Sequence, residues 1–162
     1  MSIFIQHPDI KGETSDKNHQ GCIDALEVEF GVSRAITSAT STQGDRESSN
    51  AVISDLTFTK WMDKATPYLF IETMCGRGKT IKIYMTKTGA GDGADVFLEY
   101  TLENALFSKM DTEMMAYDNA RPLEIFKISF TSMSVKYIQY DEDGNMLAPQ
   151  AVGFDTATNT KH

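Results

Sequence analysis

The chain has 162 residues, of which 23 are acidic and 15 are basic, so its formal net charge at pH 7 is −8. A chain of this length forms one domain and buries roughly 70% of the surface that it exposes when unfolded. The acidic excess, without a basic stripe, excludes nucleic acid as the expected partner. Because like-charged copies repel one another, self-assembly would need specific contacts and should depend on salt.

The N-terminal residues lack the basic flank and apolar stretch of a signal peptide, and no run approaches the ~18 apolar residues of a membrane span. We therefore expect folding in the cytoplasm and, if the protein is exported, a route other than the general secretory one. The two cysteines, Cys22 and Cys75, have no metal-ligand spacing. Both are predicted to be buried thiols, with a disulfide as the alternative.

Apolar residues recur with period two over short runs, which predicts a mainly β fold. In one run, Leu26, Val28 and Phe30 form a predicted buried face. The alternating Glu27 and Glu29 form the predicted solvent face. We expect this run to be one half-buried strand.

A later run changes the parity of its apolar face: Phe126 and Ile128 share one face, while Met133 and Val135 share the other. This change predicts a bulge or bend near residues 131–132, of the kind that curls a sheet into a small barrel of two packed sheets. This run spans residues 123–140. The remaining strands are predicted at residues 3–6, 51–60, 80–87 and 95–108.

One helix is predicted from Pro67 to about Cys75. Thr66 is the expected N-cap, Pro67 suits the first helical position, and Gly76 follows the end of the helix. Because this helix has little polar face, we expect it to cover a hydrophobic opening in the sheet.

A Ser- and Thr-rich stretch from Val32 to Asn50 is a predicted long loop or extended hairpin. Loops of this length within a compact domain are uncommon and usually functional. An interaction arm is therefore favoured over a bare linker between domains. The chain has no internal repeat, and a single domain over residues 1–162 is predicted.

Two short motifs resemble ligand loops, but their spacing is wrong. Residues 76–80, Gly-Arg-Gly-Lys-Thr, lack the glycine that a phosphate loop needs five positions earlier, and they follow a predicted helix instead of opening one. Residues 141–145, Asp-Glu-Asp-Gly-Asn, have their glycine too early for a calcium loop and lack its closing glutamate. A turn explains each motif.

No Ser, Cys or His stands in a catalytic signature. The sequence therefore predicts no catalytic, cofactor-binding or metal-binding residue, and no cofactor. A hydrolase whose triad is assembled only in space is an alternative that sequence leaves open.

Residues 10–19, Ile-Lys-Gly-Glu-Thr-Ser-Asp-Lys-Asn-His, followed by Ile23 and the pair Phe30 and Gly31, resemble the N-terminal signature of the haemolysin-coregulated protein (Hcp) family. These are the tail-tube proteins of type VI secretion. A second block, residues 55–67, resembles the strand of that family that runs into its single helix. The likeness continues more weakly to the C-terminal region, although tryptophan is common in the family where this chain has Phe30.

The resemblance implies a small β-barrel that closes into a hexameric ring by head-to-tail lateral contacts, and rings that stack into a tube. It implies assembly within a contractile sheath on baseplate components, a valine-glycine repeat spike protein at the tip, and expulsion into the extracellular space or a target cell in bacterial virulence or competition. No nucleic acid, membrane insertion or C-terminal toxin domain is expected. The chain would be a structural subunit and effector carrier, not an enzyme.

The resemblance also places the strand with Glu27 and Glu29 on the lumen of the ring, which predicts an acidic lumen that favours basic cargo. The alternative is two solvated glutamates on an ordinary sheet. Composition and strands alone are also consistent with a second function, a monomeric β-barrel or sandwich that binds a ligand. The long loop is expected to contact the adjacent ring through Val32, Ser33, Arg34, Thr42, Gln43, Asp45 and Arg46.

Overall fold

The computed structural model describes residues 1–38, 46–48, 50–89, 91–117 and 119–162, with only the backbone described for 37–38 and 46–48. Within these residues the chain forms fourteen strands and one helix, α1 (Thr66–Cys75). The mainly β class with one short helix is confirmed. The strands are β1 (Ser2–Gln6), β2 (Ile23–Ala25), β3 (Glu27–Glu29), β4 (Val32–Ser33), β5 (Ile36–Ser38), β6 (Arg46–Ser48), β7 (Val52–Ile53), β8 (Leu56–Trp61), β9 (Lys79–Thr88), β10 (Ala94–Glu113), β11 (Leu123–Ser129), β12 (Ser132–Tyr137), β13 (Gln150–Asp155) and β14 (Thr160–Lys161).

Ten of the strands described form one antiparallel sheet that folds over the core in two layers. The long sheet has the order β2, β1, β9, β10, β12, β13, β14, and the short sheet consists of β10, β11, β8 and β3. Strand β10 belongs to both, because residues 98–103 pair with β12 and residues 106–113 pair with β11. Asn104 lies between these two parts with a positive φ of 51°, which marks the bend.

The two layers are also joined at Leu26, between β2 and β3. Strand β2 pairs with β1 in the long sheet, and β3 pairs with β8 in the short sheet. The prediction of one strand with Leu26 buried is wrong: Leu26 is 52% exposed, and the core-facing parity changes from Ile23 in β2 to Val28 in β3. The chain must bend to pass from one sheet to the other, and Leu26 lies at that bend, so the barrel is not closed by a continuous ladder.

The predicted change of parity near residues 131–132 is confirmed. Strand β11 ends at Ser129 and β12 begins at Ser132, with Ile128 and Met133 both buried. Two other parts differ from the prediction. The predicted strand 51–60 is divided into β7 and β8, and the C-terminal strands β13 and β14 were not predicted.

The core lies between the two sheets. Three phenylalanine rings meet at its centre: Phe58 stacks on Phe126 at 5.1 Å, and Phe107 packs edge-on against both at 6.2 and 6.0 Å. Aliphatic side chains from both sheets and from α1 surround these rings. This packing holds the short sheet at a defined position over the long one.

Helix α1 begins at Thr66, one residue before the predicted start, and ends before Gly76 as predicted. Thr66 is not the N-cap, which is Ala65; instead the Thr66 hydroxyl accepts a hydrogen bond from the Asp63 amide. The prediction that α1 covers an opening in the sheet holds for Leu69 alone, since Leu69 is the one helix residue that is fully buried.

Candidate assembly surfaces

The Ser- and Thr-rich segment forms an arm, defined here as residues 31–54. Strand β4 pairs with β7, and β5 pairs with β6, in two small ladders outside the main sheet. Gly31 and Ser54 close its base: the Gly31 amide donates to the Ser54 hydroxyl at 2.8 Å, and the Ser54 amide donates to the Gly31 carbonyl at 2.9 Å. Within the described residues, the arm is therefore an extended hairpin.

The residues predicted to contact an adjacent ring lie along this arm. Val32 and Ser33 form β4, and both are exposed, as is Arg34. Arg46 begins β6, where only the backbone is described. Exposed apolar side chains are also present, with Val32 67% exposed and Val52 61% exposed. Three further predicted residues lie outside the described residues: Thr42, Gln43 and Asp45.

Glu27 and Glu29 lie in β3 and are exposed, as predicted for the solvent face. The strand register extends this face across the short sheet in rows. In the first row Glu29 is opposite Thr57, Thr57 is opposite Lys127, and Lys127 is opposite Lys109. Because directly opposite residues point to the same side of a sheet, these side chains share one surface. We call the outer surface of the short sheet the lumen face, after the position that the family resemblance predicts for it.

The second and third rows of the lumen face mix charged and apolar side chains. The second row contains Glu27, Thr59, Ile125 and Asp111. Asp111 forms an ion pair with Lys109 of the first row at 3.0 Å. The third row contains Trp61, Leu123 and Glu113. Across the three rows the face therefore has four carboxylates and two lysines, so it is acidic on balance but not uniformly.

From the sequence, only Glu27 and Glu29 of β3 were predicted to lie on this lumen face. A signal for the rest was present, because Thr57 and Thr59 alternate with the apolar Leu56 and Phe58. What that alternation cannot show is which strands are neighbours. The register brings Lys127 onto the same surface as Glu29 from almost a hundred residues away in sequence.

A fully buried ion pair fixes the start of α1 to the short sheet. The Lys60 ammonium lies 2.8 Å from Glu124 Oε2 and 2.9 Å from Asp63 Oδ1, and the Lys60 and Glu124 side chains are both 0% exposed. The Thr66 hydroxyl donates to the same Glu124 oxygen at 3.0 Å. Lys60 is opposite Glu124 in the β8–β11 register, so one cross-strand pair positions the helix.

A groove of about 520 Å³ on the outer side of the long sheet contains His19, Cys22 and Tyr84. The His19 ring stacks on Phe4 at 4.7 Å and lies 5.0 Å from the Tyr84 ring. Burial lowers the pKa of His19, raises the pKa of the Cys22 thiol, and raises the pKa of Tyr84 to about 12. The thiol is therefore protonated near neutral pH and is a weak nucleophile.

The motif at residues 76–80 is a turn from α1 into β9, as predicted. Its lysine, Lys79, is occupied: the ammonium lies 2.7 Å from Asp9 Oδ2 and 3.2 Å from Glu72 Oε1. Hydrogen bonding to Asp9 raises the pKa of Lys79, so this charge is held in a local pair. It does not stand at the start of a helix, where a bound phosphate would lie.

The motif at residues 141–145 is also a turn. The Asp141 carboxylate accepts hydrogen bonds from the Asn145 amide at 2.8 Å and the Asp143 amide at 3.0 Å, and these bonds lower the pKa of Asp141. Gly144 has a φ of 82°, which a glycine adopts without strain. Within the described part of the chain, no group of three His, Cys, Asp or Glu side chains is placed to hold a metal ion.

Neither cysteine is in a disulfide; Cys22 is buried as predicted, whereas Cys75 is exposed and its predicted burial is wrong. The only helix among the described residues has ten residues, too few to cross a membrane. The fold and these surfaces are those of a mainly β protein, with an exposed arm and a charged sheet face.

Comparison with known proteins identifies the family. Residues 4–137 match the family described as "Type VI secretion system effector, Hcp", and the chain belongs to it. The chain is thus a type VI secretion tube protein, which is a structural protein and not an enzyme. The resemblance noted in the sequence is confirmed.

Individual relatives agree with this assignment. Protein hcp1 of Pseudomonas aeruginosa is 31% identical over 147 residues, which cover 89% of this chain and 87% of the relative. A solved type six secretion system protein superposes with a TM-score of 0.90 at 23% identity, covering 99% of both chains. A more distant structure, the six-fold symmetrised baseplate of the anti-feeding prophage, has a TM-score of 0.51 at 9% identity and covers 83% of this chain and 90% of its own.

Proposed function

We propose that this chain closes into hexameric rings by head-to-tail lateral contacts, and that the rings stack into the inner tube of a type VI secretion system. The observation that carries the proposal is a pair of free edges on the short sheet. Among the described residues, β3 pairs with β8 alone, and residues 106–113 of β10 pair with β11 alone. Such edges present unpaired N–H and C=O groups that can add a strand from another chain.

The two free edges differ, which favours a ring over a symmetric dimer. A contact between β3 of one copy and β10 of the next is heterologous, and repeating it gives a closed ring when the rotation closes. Six copies are favoured because the resemblance to the Hcp family implies a hexameric ring. A chain of the six-fold symmetrised baseplate of the anti-feeding prophage, which shares the fold, agrees with this number. Closure would remove the free edges from solvent.

The same geometry supports the assignment of the lumen. The inner side of the short sheet is covered by the core and the long sheet. If short sheets join edge to edge around a ring, their remaining side, with Glu27 and Glu29, faces either the axis or the exterior, and the resemblance to the Hcp family favours the axis. The lumen face would then hold secreted effectors, and its acidic balance favours basic cargo.

Axial contacts are assigned to the arm. Its exposed apolar side chains, including Val32 and Val52, extend outside the barrel and lack a partner surface within the described chain. Contact with the next ring would bury them, and such contacts repeat without limit along a tube. The proposed partners of the finished tube are a contractile sheath, a valine-glycine repeat spike protein and baseplate components, with assembly in the cytoplasm before secretion.

Size measurement tests the ring. Sedimentation and negative-stain microscopy of the purified protein should show a particle near six times 18.0 kDa with a central hole. A monomer that persists at high concentration would contradict the proposal and favour the alternative, a monomeric β-barrel that binds a ligand.

Cargo selection is tested by Glu29→Arg on the lumen face. We expect intact rings and a loss of basic proteins among those that co-purify, because the substitution reverses a charge in the lumen. The matched control is Asp24→Arg, an exposed position of β2 outside the lumen face. Identical cargo for both variants and the unmodified chain, measured by mass spectrometry, would sink the lumen assignment.

A further inference from the structure

The outer side of α1 is apolar, the reverse of an ordinary surface helix. Successive helix residues are about 100° apart, and the exposed ones lie within an arc of about 160° opposite the buried Leu69. None of them is charged. We call this arc the helix face; it consists of Pro67, Tyr68 (66% exposed), Phe70 (51%), Ile71 (54%), Met74 (71%) and Cys75.

The helix cannot turn this face inward. Its start is held by Lys60 and Glu124, and its opposite side inserts Leu69 into the core. Farther along, Glu72 binds Lys79 at 3.2 Å. Contacts on the inner side of α1 therefore fix its orientation. The contiguous apolar surface that stays exposed on its outer side is typical of an interface.

A second apolar surface, different in shape from the helix face, lies on the two-stranded ribbon formed by β12 and β13. Met133 points into the core and is buried, and Val135 follows on the same side. Val135 is opposite Val152, yet Val152 is 64% exposed, and Tyr137 two residues farther along is 51% exposed. The core-facing side of the ribbon thus extends beyond the core. We call the exposed part, Tyr137 and Val152, the ribbon face.

The two surfaces have opposite charges at their borders. Lys11 and Lys64 line a groove of about 630 Å³ beside Tyr68 of the helix face. Asp9 lines the same groove, but its carboxylate is held in an ion pair with Lys79 at 2.7 Å. The turn that joins β12 to β13 carries Asp141, Glu142 and Asp143, all exposed. In a chain of net charge −8, contact between two copies meets general repulsion, and this pairing of lysines with carboxylates offsets it.

The two surfaces also adjoin different free edges of the short sheet. Helix α1 contacts β10 and leads into β9, where Lys79 pairs with Ala105, just before the stretch of β10 that pairs with β11 alone. On the other side Phe30, next after β3, packs edge-on against Tyr100 at 5.2 Å, and Tyr100 is opposite Val135 of the ribbon. An edge-to-edge contact therefore brings the helix face of one copy toward the ribbon face of the next.

We propose that the helix face of one copy packs against the ribbon face of a second copy around the ring, with the acidic turn beside Lys64 and Lys11. This inference rests on the proposed ring. It names the two surfaces that the lateral contact buries, in addition to the strand edges.

Met74→Glu tests the helix face, with Gln20→Glu as the control. Gln20 is exposed in the groove on the outer side of the long sheet, outside every surface assigned to a contact, so its change adds the same charge elsewhere. We expect Gln20→Glu to form rings like the unmodified chain. Met74→Glu should raise the protein concentration at which rings form by more than about tenfold, because a charge would be buried in the contact. Circular dichroism should show unchanged folding.

Mixing two variants tests the pairing of the surfaces. Val152→Glu alters the ribbon face, and at a protein concentration at which Met74→Glu stays monomeric it should also fail to form rings. When Val152→Glu is mixed with Met74→Glu, one intact helix face meets one intact ribbon face, so we expect a dimer of twice 18.0 kDa and no ring. Ring formation by Val152→Glu alone, or the absence of a mixed dimer, would overturn the pairing.

The ring and the pairing of its two surfaces can be tested separately. If the unmodified chain is a monomer, the ring itself is wrong. If the unmodified chain and Met74→Glu both form rings of equal stability, the ring stands and the helix face serves another partner, which overturns the inference.

Discussion

The two sides of α1 differ in a way that reverses the usual distribution of side chains. The inner side rests on a lysine and a glutamate that are both fully buried, whereas the outer side exposes Tyr68, Ile71 and Met74 to solvent. Surface helices normally bury their apolar side and solvate their polar side. Here the ion pair specifies where the helix lies, and the apolar residues are left for contact with another chain.

This difference separates folding from assembly. A buried charge pair gains little net stability, but it strongly disfavours any arrangement that leaves one partner alone. Apolar residues on the outside add little to the folded monomer, but they release water when a second surface covers them. The inner side should therefore respond to mutation in stability, and the outer side in oligomeric state.

The largest effect is expected from Lys60→Met. This change leaves Glu124 and Asp63 buried without their cation, so the free energy of unfolding should fall by about 3–5 kcal/mol. Urea unfolding of the monomeric Met74→Glu background measures this without the contribution of assembly. The double variant Lys60→Met with Glu124→Met should lose less than the single variant, because it removes both charges. An equal or greater loss in the double variant would contradict the role of the pair.

The next largest effect on the free energy of unfolding is expected at Leu69, in comparison with its neighbour Phe70 on α1. Leu69→Ala removes a fully buried side chain, and we expect a loss of about 2–5 kcal/mol in the free energy of unfolding. Phe70→Ala, at a position that is 51% exposed, should change monomer stability by only about 0.5 kcal/mol while it weakens the ring. Similar losses of monomer stability at the two positions would show that the outer side also contributes to folding.

The smallest effect concerns pH, through a histidine against the inner side of α1. His7 Nδ1 accepts hydrogen bonds from the amides of Asp9 and Ile10, each at 3.1 Å, and Nε2 lies 3.7 Å from Glu72. Burial lowers the pKa of His7 below 6.5, with Lys79 acting in the same direction and Glu72 and Asp9 opposing it.

Because the folded state favours neutral His7, the stabilisation is fully present above pH 6.5 and is lost as pH falls below it. His19, whose pKa burial also lowers, adds to this loss. The melting temperature should therefore fall between pH 7.5 and pH 5.5. His7→Asn keeps an acceptor near Nδ1 without a titration, so its melting temperature should fall less over the same range. An equal fall would assign the effect to other groups.

Local patterns in the sequence predicted much of the fold. Alternation located β1, β9 and the start of β10 to within one residue, and the parity change after Phe126 and Ile128 predicted the bend between β11 and β12. The pair of Pro67 and Gly76 bounded α1 to within one residue. These features depend on contacts between near neighbours, which sequence records directly. Strands β13 and β14, with weak alternation, were missed because β13 depends on pairing with β12 and β14 depends on pairing with β13.

Leu26 and Lys60 show why the remaining features were not predictable. Leu26 continues the alternation of Val28 and Phe30, but the chain leaves one sheet for another at this point and exposes it. Lys60 lies two residues after the core residue Phe58, on the same buried side of β8. A lysine can be buried there only because Glu124 lies opposite it, on a strand far along the chain. Local periodicity cannot report a partner that is distant in sequence.

The sequence by itself determined a mainly β chain with one helix, an exposed Ser- and Thr-rich arm, two outward glutamates and the likeness to the Hcp family. Only the tertiary structure decided that Lys127 shares a surface with Glu29, and that α1 presents its apolar side to solvent. The physical reason is that strand register and helix orientation are set by contacts over long sequence separations. In α1 the buried charges of Lys60 and Glu124 determine that orientation, against the hydrophobicity of the helix itself.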